Sequence, residues 1–349
     1  MDLVVPRPEG LYCPPGGFYI DPWRAVERAV ITHGHSDHAR NGCGHYLAAA
    51  PSAPILSQRL GTDISLGTLK YGEVVSHHGV TLSLHPAGHV LGSAQVRLEY
   101  RGEVWVVSGD YKLEHDGTCA PFEPIPCHVF ITESTFGLPI YRWSPQAELL
   151  ADINAWWLKN AGEGRTSVLF CYAFGKAQRI LHGLEPAIGP ILTHGAVESL
   201  NQIYRNAGVL LPSTQHVRHL TDTSQLGRSI VIAPPSAQGT PWLKRFGNYA
   251  DGFASGWMLV RGARRRRGVD RGFVLSDHAD WPGLQNAIAG TGAARVLVTH
   301  GQVHVMVRWL RERGLDADAL ATEYGEEESE SGAGAADDGL PPVDSAGPK

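Results

Sequence analysis

No run of eighteen apolar residues occurs anywhere in the 349, which argues against a helix that crosses a bilayer. The opening residues, Met-Asp-Leu-Val-Val-Pro-Arg-Pro, lack an apolar signal core, so a cytoplasmic protein with no membrane partner is expected. Cysteine is scarce. Its five copies (13, 43, 119, 127 and 171) are odd in number, dispersed and never spaced C-x-x-C; they predict reduced thiols and no thiolate zinc site. Internal repeats are also missing. Hydrophobic content of 43% with 19% charged residues is ordinary globular composition, enough for two domains or one domain with a large insertion.

A surplus of positive charge is lacking too. The net charge is −5, an unpromising figure for a protein that grips polyanions. The charge is uneven, however. Residues 323–349 hold eight acids and one lysine, net −7, which leaves +2 for the preceding 322. A mildly positive body with local basic clusters can still bind phosphates. The acidic, Gly/Ala/Pro-rich end reads as a disordered tail.

What is abundant is histidine, and it is placed rather than scattered. The run Ala29-Val30-Ile31-Thr32 reads as a buried strand, and His33, His35, Asp37 and His38 follow within six residues. Ligands at i, i+2, i+4 and i+5 cannot all face one way on a helix. A loop can fan them into two groups, which suits two neighbouring ions. Imidazole with carboxylate favours zinc, with manganese as the alternative. More polar residues end later strands: His89 after Gly79–His85, Asp110 after Glu103–Ser108, Glu133 after Val129–Thr132, and His300 after Ala294–Val298. Sites of α/β architectures are built at strand ends in this way.

The spacing of signals divides the chain at 1–145, 146–262, 263–322 and 323–349. The first segment predicts a sheet with hairpins near its start, a short strand at Ala53–Leu56 and a helix from Gln58. The second alternates strands and helices (145–159, 167–171, 190–193, 197–206, 229–233) and spells a small parallel sheet. The third resumes the first domain at Gly272–Leu275 and closes with a helix over Gln302–Gly314.

His33-x-His35-x-Asp37-His38 resembles the signature of the metallo-β-lactamase fold, whose members hydrolyse lactams, thioesters and phosphodiesters. Glu133-Ser134-Thr135-Phe136-Gly137, Ser276-Asp277-His278-Ala279-Asp280 and Val298-Thr299-His300-Gly301 resemble the three further motifs of the β-CASP nucleases. Residues 86–93, 106–114, 131–143 and 170–181 are similar to the bacterial ligase-associated DNA exonucleases. The resemblance implies an αββα sandwich with an inserted β-CASP cap, a small parallel sheet with flanking helices. It implies two divalent ions, one on His33, His35, His89 and Asp110 and one on Asp37, His38, Asp110 and His300. His278, paired with Glu133, would protonate the leaving oxygen, with Asp277 or Asp280 assisting. It implies a DNA exonuclease acting on single strands or ends, in repair with an ATP-dependent ligase and a helicase. A ribonuclease of the same fold is the alternative, since RNA-directed relatives tend to carry histidine where His300 stands.

Substrate contacts are expected at Ser134 and Thr135, and at Lys176, whose Gly175-Lys176 opens a helix where free N–H groups could meet phosphate. They are also expected at Ser255, at Trp257 by stacking on a base, and at Arg264 in the four-arginine run.

Overall fold

The computed structural model describes residues 2–221 and 223–322; the acidic segment 323–349 lies outside them. The described chain forms two compact units, one from residues up to 115, 119–142 and 277 onward, the other from 116–118 and 143–276.

In the first unit, the strands Val5–Arg7, Gly10–Cys13, Phe18–Ile20, Arg28–Ile31, His45–Ala49 and Leu66–Leu69 follow one another across a six-stranded sheet. A seven-stranded sheet runs in the order Asp316–Ala319, Arg295–Gly301, Val129–Ser134, Glu103–Val107, Ala94–Tyr100, Val80–Pro86, Val74–His77. The buried middles of the central strands, Trp105–Val107, Val129–Ile131 and Val296–Val298, are apolar because both of their faces are covered. Val30 points into a core shared by the two sheets, while Ala29 and Ile31 pack beside Leu56 of the helix Ala53–Leu60. Trp105, Val107, Ile131 and Leu297 fill the same core. Their neighbours Val106, Phe130, Val296 and Val298 face the helices Trp281–Thr291 and Val303–Arg311. Each such side chain stabilises the fold by about 1.5–3 kcal/mol relative to exposure.

Three local expectations are corrected. Ala53–Leu56 is not a strand but the start of a helix, with proline in its first turn, where the missing N–H costs nothing. The strand lies earlier, at His45–Ala49. The closing helix stops at Arg311, and Asp316-Ala317-Asp318-Ala319 adds an edge strand parallel to Arg295–Gly301. Alternating aspartate and alanine carries little strand propensity, so that strand is a product of pairing. Gly272–Leu275 does not resume the first domain: Arg271–Phe273 is an edge strand of the second unit, paired with Tyr249–Ala254, and the return comes at Asp277.

The second unit holds a six-stranded parallel sheet in the order Gln215–His216, Ile191–Thr193, Ile230–Ala233, Thr166–Phe170, Tyr249–Ala254, Arg271–Phe273. A buried ion pair ties residues 116–118 into it. Arg179 Nε lies 2.6 Å from Asp116 Oδ2 with both side chains at most 1% exposed, and Asp116 also accepts from the backbone N–H and hydroxyl of Thr118. Arg179→Ala strands a buried carboxylate, so stability should fall by about 3–5 kcal/mol in urea unfolding. A loss below about 1 kcal/mol would mean the pair is dispensable.

No helix among the described residues is long and apolar enough to cross a membrane, and no disulfide joins the cysteines.

Candidate metal centre

The ligand loops leave neighbouring strand ends of the first unit and are drawn together by glycine. Gly109 has φ +57°, and a Cβ there would lie 2.7 Å from Thr32; the loop carrying Asp110 can therefore press against the residue before His33. Gly301, at φ +73°, touches the Ser134 carbonyl, where a Cβ would sit at 2.4 Å. That contact seats His300, itself a non-glycine residue at φ +49°, a costly conformation of the kind that clusters at functional sites.

A hydrogen-bond network assigns the tautomers. Asp21, at the end of Phe18–Ile20 and beside the parallel strand Arg28–Ile31, accepts from the Thr32 N–H at 2.8 Å, the Thr32 hydroxyl at 2.5 Å and His38 Nδ1 at 2.7 Å. Because Thr32 donates its only hydroxyl proton to Asp21, it accepts from His33 Nδ1 at 3.1 Å. His89 Nδ1 donates to the Asp277 carbonyl at 2.9 Å. His300 Nδ1 meets Thr299 Oγ1 at 3.0 Å, and that hydroxyl donates to the Thr132 carbonyl. With each Nδ1 bearing the proton, the Nε2 lone pairs are left for a ligand.

These lone pairs converge. His35 Nδ1 lies 3.0 Å from His33 Nε2 and 3.1 Å from His89 Nε2. One ring nitrogen cannot hold a hydrogen for both. Asp110 Oδ2 lies 3.4 Å from His33 Nε2 and 3.8 Å from His89 Nε2, and these four residues form a cluster able to hold an ion. A tetrahedral ion with arms of about 2.0–2.1 Å has ligand–ligand edges of about 3.3 Å, so the donor set fits a divalent cation. A second group abuts it: His38 Nε2 is 3.3 Å from Asp110 Oδ2 and 3.6 Å from Asp37 Oδ2. The His300 ring centroid lies 5.8 Å from that of His38. Asp37, His38, Asp110 and His300 line one cleft.

The charges agree with this division. Burial holds His33 well below the usual histidine range and takes His89 down to about 3, with neighbouring imidazoles adding to the effect; both rings are neutral, as ligands must be. Burial opposes charge on His38 as well, but Asp110, Asp37 and Asp21 outweigh it and raise its pKa well above normal. A proton there occupies the place of a cation.

Glu133, in the strand Val129–Ser134, is 1% exposed. It accepts from the Tyr111 N–H at 2.8 Å, the Thr135 hydroxyl at 2.5 Å and His278 Nδ1 at 3.0 Å. Burial works against a charged His278, yet the Glu133 and Asp110 carboxylates lift its pKa to about 10. Its ring centroid is 4.6 Å from that of His89.

Other expected residues are committed elsewhere. Asp280 caps the helix Trp281–Thr291 by accepting from the Gly283 N–H, and Asp277 serves His89 through its backbone carbonyl. Thr135 orients Glu133. Ser134 is fully buried and donates to the carbonyls of Thr299 and His300.

Lys176, Ser255, Trp257 and Arg264 belong to the second unit. Lys176 is buried with Nζ 4.9 Å from the Tyr172 ring centroid. The Gly175 and Ala177 N–H groups are already taken by Gln178 Oε1 and the Tyr172 carbonyl, which departs from the expected open anion seat. Ser255 accepts from the Trp257 N–H at the start of a turn, and Trp257 packs on the apolar core. Arg264 gives both Nε and Nη2 to the Met258 carbonyl.

Sequence reasoning missed Asp21, whose only signal is an acid directly after a short apolar strand. Asp21→Asn removes a charged acceptor behind His38 and Thr32. It should lower metal affinity about 10–100-fold in chelator competition; unchanged affinity would refute its orienting role.

No family model matches the chain. It is 32% identical over 316 residues to a protein named "Probable DNA ligase" from Opitutus terrae, a match covering 89% of this chain and 30% of that protein. It is 23% identical over 203 residues to "Endoribonuclease YSH1" of Saccharomyces cerevisiae, covering 48% of this chain and 25% of that one. It is 27% identical over 115 residues to "Cleavage and polyadenylation specificity factor subunit 3" of Dictyostelium discoideum, covering 32% and 15%. The chain thus spans under a third of the length of these relatives. A solved structure of a protein of unknown function from Enterococcus faecalis V583 shares the fold, with TM-score 0.58 at 12% identity over 86% of this chain and 80% of that one.

Proposed function

We propose that this chain, which belongs to the β-CASP nucleases of the metallo-β-lactamase fold, is a two-metal DNA exonuclease that works in the cytoplasm in repair beside an ATP-dependent ligase and a helicase. The first unit would be the αββα sandwich and residues 143–276 the β-CASP cap. His33, His35, His89 and Asp110 would hold one ion, zinc before manganese, and Asp37, His38, Asp110 and His300 the other. When bound, such ions lower the pKa of water and neutralise phosphate charge.

The protein's own groups do the rest. His278 Nδ1 is engaged by Glu133, so Nε2 is the atom that delivers a proton to the leaving sugar oxygen. Glu133 keeps that ring charged and oriented, and Tyr111 and Thr135 keep Glu133 in place. A half-buried, charged histidine next to the ligand cluster matches phosphodiester cleavage, whose leaving alkoxide needs a proton.

One observation carries DNA as the substrate: the likeness to the ligase-named protein runs through 89% of the chain. The ribonuclease reading draws on the endoribonuclease relatives and on His300. End-labelled single-stranded DNA and matched RNA, digested in parallel over a panel of metals, separate the two. Preferred DNA cleavage is expected, and comparable RNA cleavage removes the assignment.

A further inference from the structure

One face of the parallel sheet in the second unit has an unusual cover. Val168, Phe170, Leu192, Val231, Ala233 and Phe253 share that face by register and form a single apolar cluster with Leu243, Phe246, Met258 and Ala263. The cover is drawn from residues 217–221, 223–229, 234–246 and 256–268; in sequence these stretches carry nine arginines and lysines, with Asp222 the one acid in their span 217–229. The two stretches also meet directly, Gln238 Nε2 donating to the Arg267 carbonyl at 2.9 Å.

The cations divide into two kinds. Arg264 is tied to Met258 and Arg267 lies over the Phe253 ring; they hold the helix Arg261–Arg267 to the sheet. Arg261, Arg265, Arg266, Lys244 and Arg245 are exposed, and none makes an ion pair among the described residues. Three other arginines of this unit are neutralised, Arg271 by Asp152, Arg205 by Glu198 and Arg165 by Glu163. Clustered like charges without acids repel one another and lower stability. A surface that keeps them unneutralised is suited to an anion supplied from outside.

We propose that Arg261, Arg265, Arg266, Lys244 and Arg245 form a second binding face that holds the phosphate backbone of the nucleic-acid strand, apart from the residues that do the chemistry. The proposal rests on nucleic acid being the substrate. The face reads charge rather than base identity, since phosphate contacts position a strand without specifying its sequence.

The test is salt-dependent binding of the full chain to a long phosphorothioate single strand, with hydrolysis of a dinucleotide as the parallel readout. In the triple variant R261A/R265A/R266A, the slope of log affinity against log salt should fall by about 2, from about 0.7 per lost contact. Dinucleotide hydrolysis should be unchanged. R261K/R265K/R266K keeps the charge and should keep the slope, which separates lost contacts from lost folding. An unchanged slope in the alanine variant overturns the inference. So does a slope restored by deleting residues 323–349, which would make the chain's own acids the occupant. If the parent binds with this slope yet cleaves no nucleic acid, the catalytic reading fails and the binding face stands.

Discussion

Asp110→Ala should lower phosphodiester cleavage by at least about a thousandfold and reduce the metal content of the purified protein, while the fold survives. One oxygen, Asp110 Oδ2, lies within 3.3–3.8 Å of His38, His33 and His89, a position that suits a group shared by both proposed ligand sets. The residue is 7% exposed. Burial opposes its charge, but His38 and His278 beside it hold its pKa well below the usual carboxylate range. Without it the centre loses its common anion, and neither set keeps a complete donor shell. Removal of a single preorganised charge-stabilising group already costs about 10²–10³ in rate, and here two sets fail together. The backbone around Asp110 is held by Gly109 and by strand pairing rather than by the carboxylate, so circular dichroism and the urea midpoint should stay near the parent's. Asp37→Ala follows the same direction. A variant that kept both its metal and its rate would sink the assignment of Asp110 as the shared ligand.

His278→Ala should slow DNA cleavage by about 10²–10⁴-fold, the usual scale of general acid catalysis, with binding affected far less. On a nitrophenyl phosphodiester the loss should be small, because nitrophenolate departs without a proton. The pH profile gives a second check. His278 must be charged to donate, and its pKa stands at about 10; the parent should therefore stay active through neutral pH and lose activity as pH rises through that value. The alanine variant should lack this alkaline limb. In Glu133→Gln the carboxylate that lifts His278 is gone, and the limb should move to lower pH. Equal losses on both leaving groups would argue that His278 serves the structure of the site instead of the proton transfer.

Much of the candidate centre is legible in the sequence because its chemistry is local. His33, His35, Asp37 and His38 fall within six consecutive positions after an apolar run, and His89, Asp110, Glu133 and His300 lie at or just beyond the ends of later strands. Strands such as Glu103–Val107 were equally plain, since the run Val104-Trp105-Val106-Val107 is apolar and its last three residues are buried. Ala53–Leu60 was harder: short apolar runs look alike in helices and strands, and Pro54 decides between them only through its place in the first turn. Asp316–Ala319 had no signal of its own, because its conformation depends on the neighbour it pairs with. Asp21 was invisible for a similar reason, its importance coming from a parallel strand eleven residues further along.

Residue order alone therefore determined which side chains are candidates for the chemistry, because ligand type and spacing are properties of short segments. Folding decided how they are shared out. It set which ring nitrogen keeps its proton, it turned Ser134, Asp280 and Arg264 into internal ties, and it collected unpaired arginines on one face of a sheet. Those outcomes depend on distances between segments far apart in the chain, and hydrogen bonds and ion pairs form only where packing brings such segments within a few ångströms.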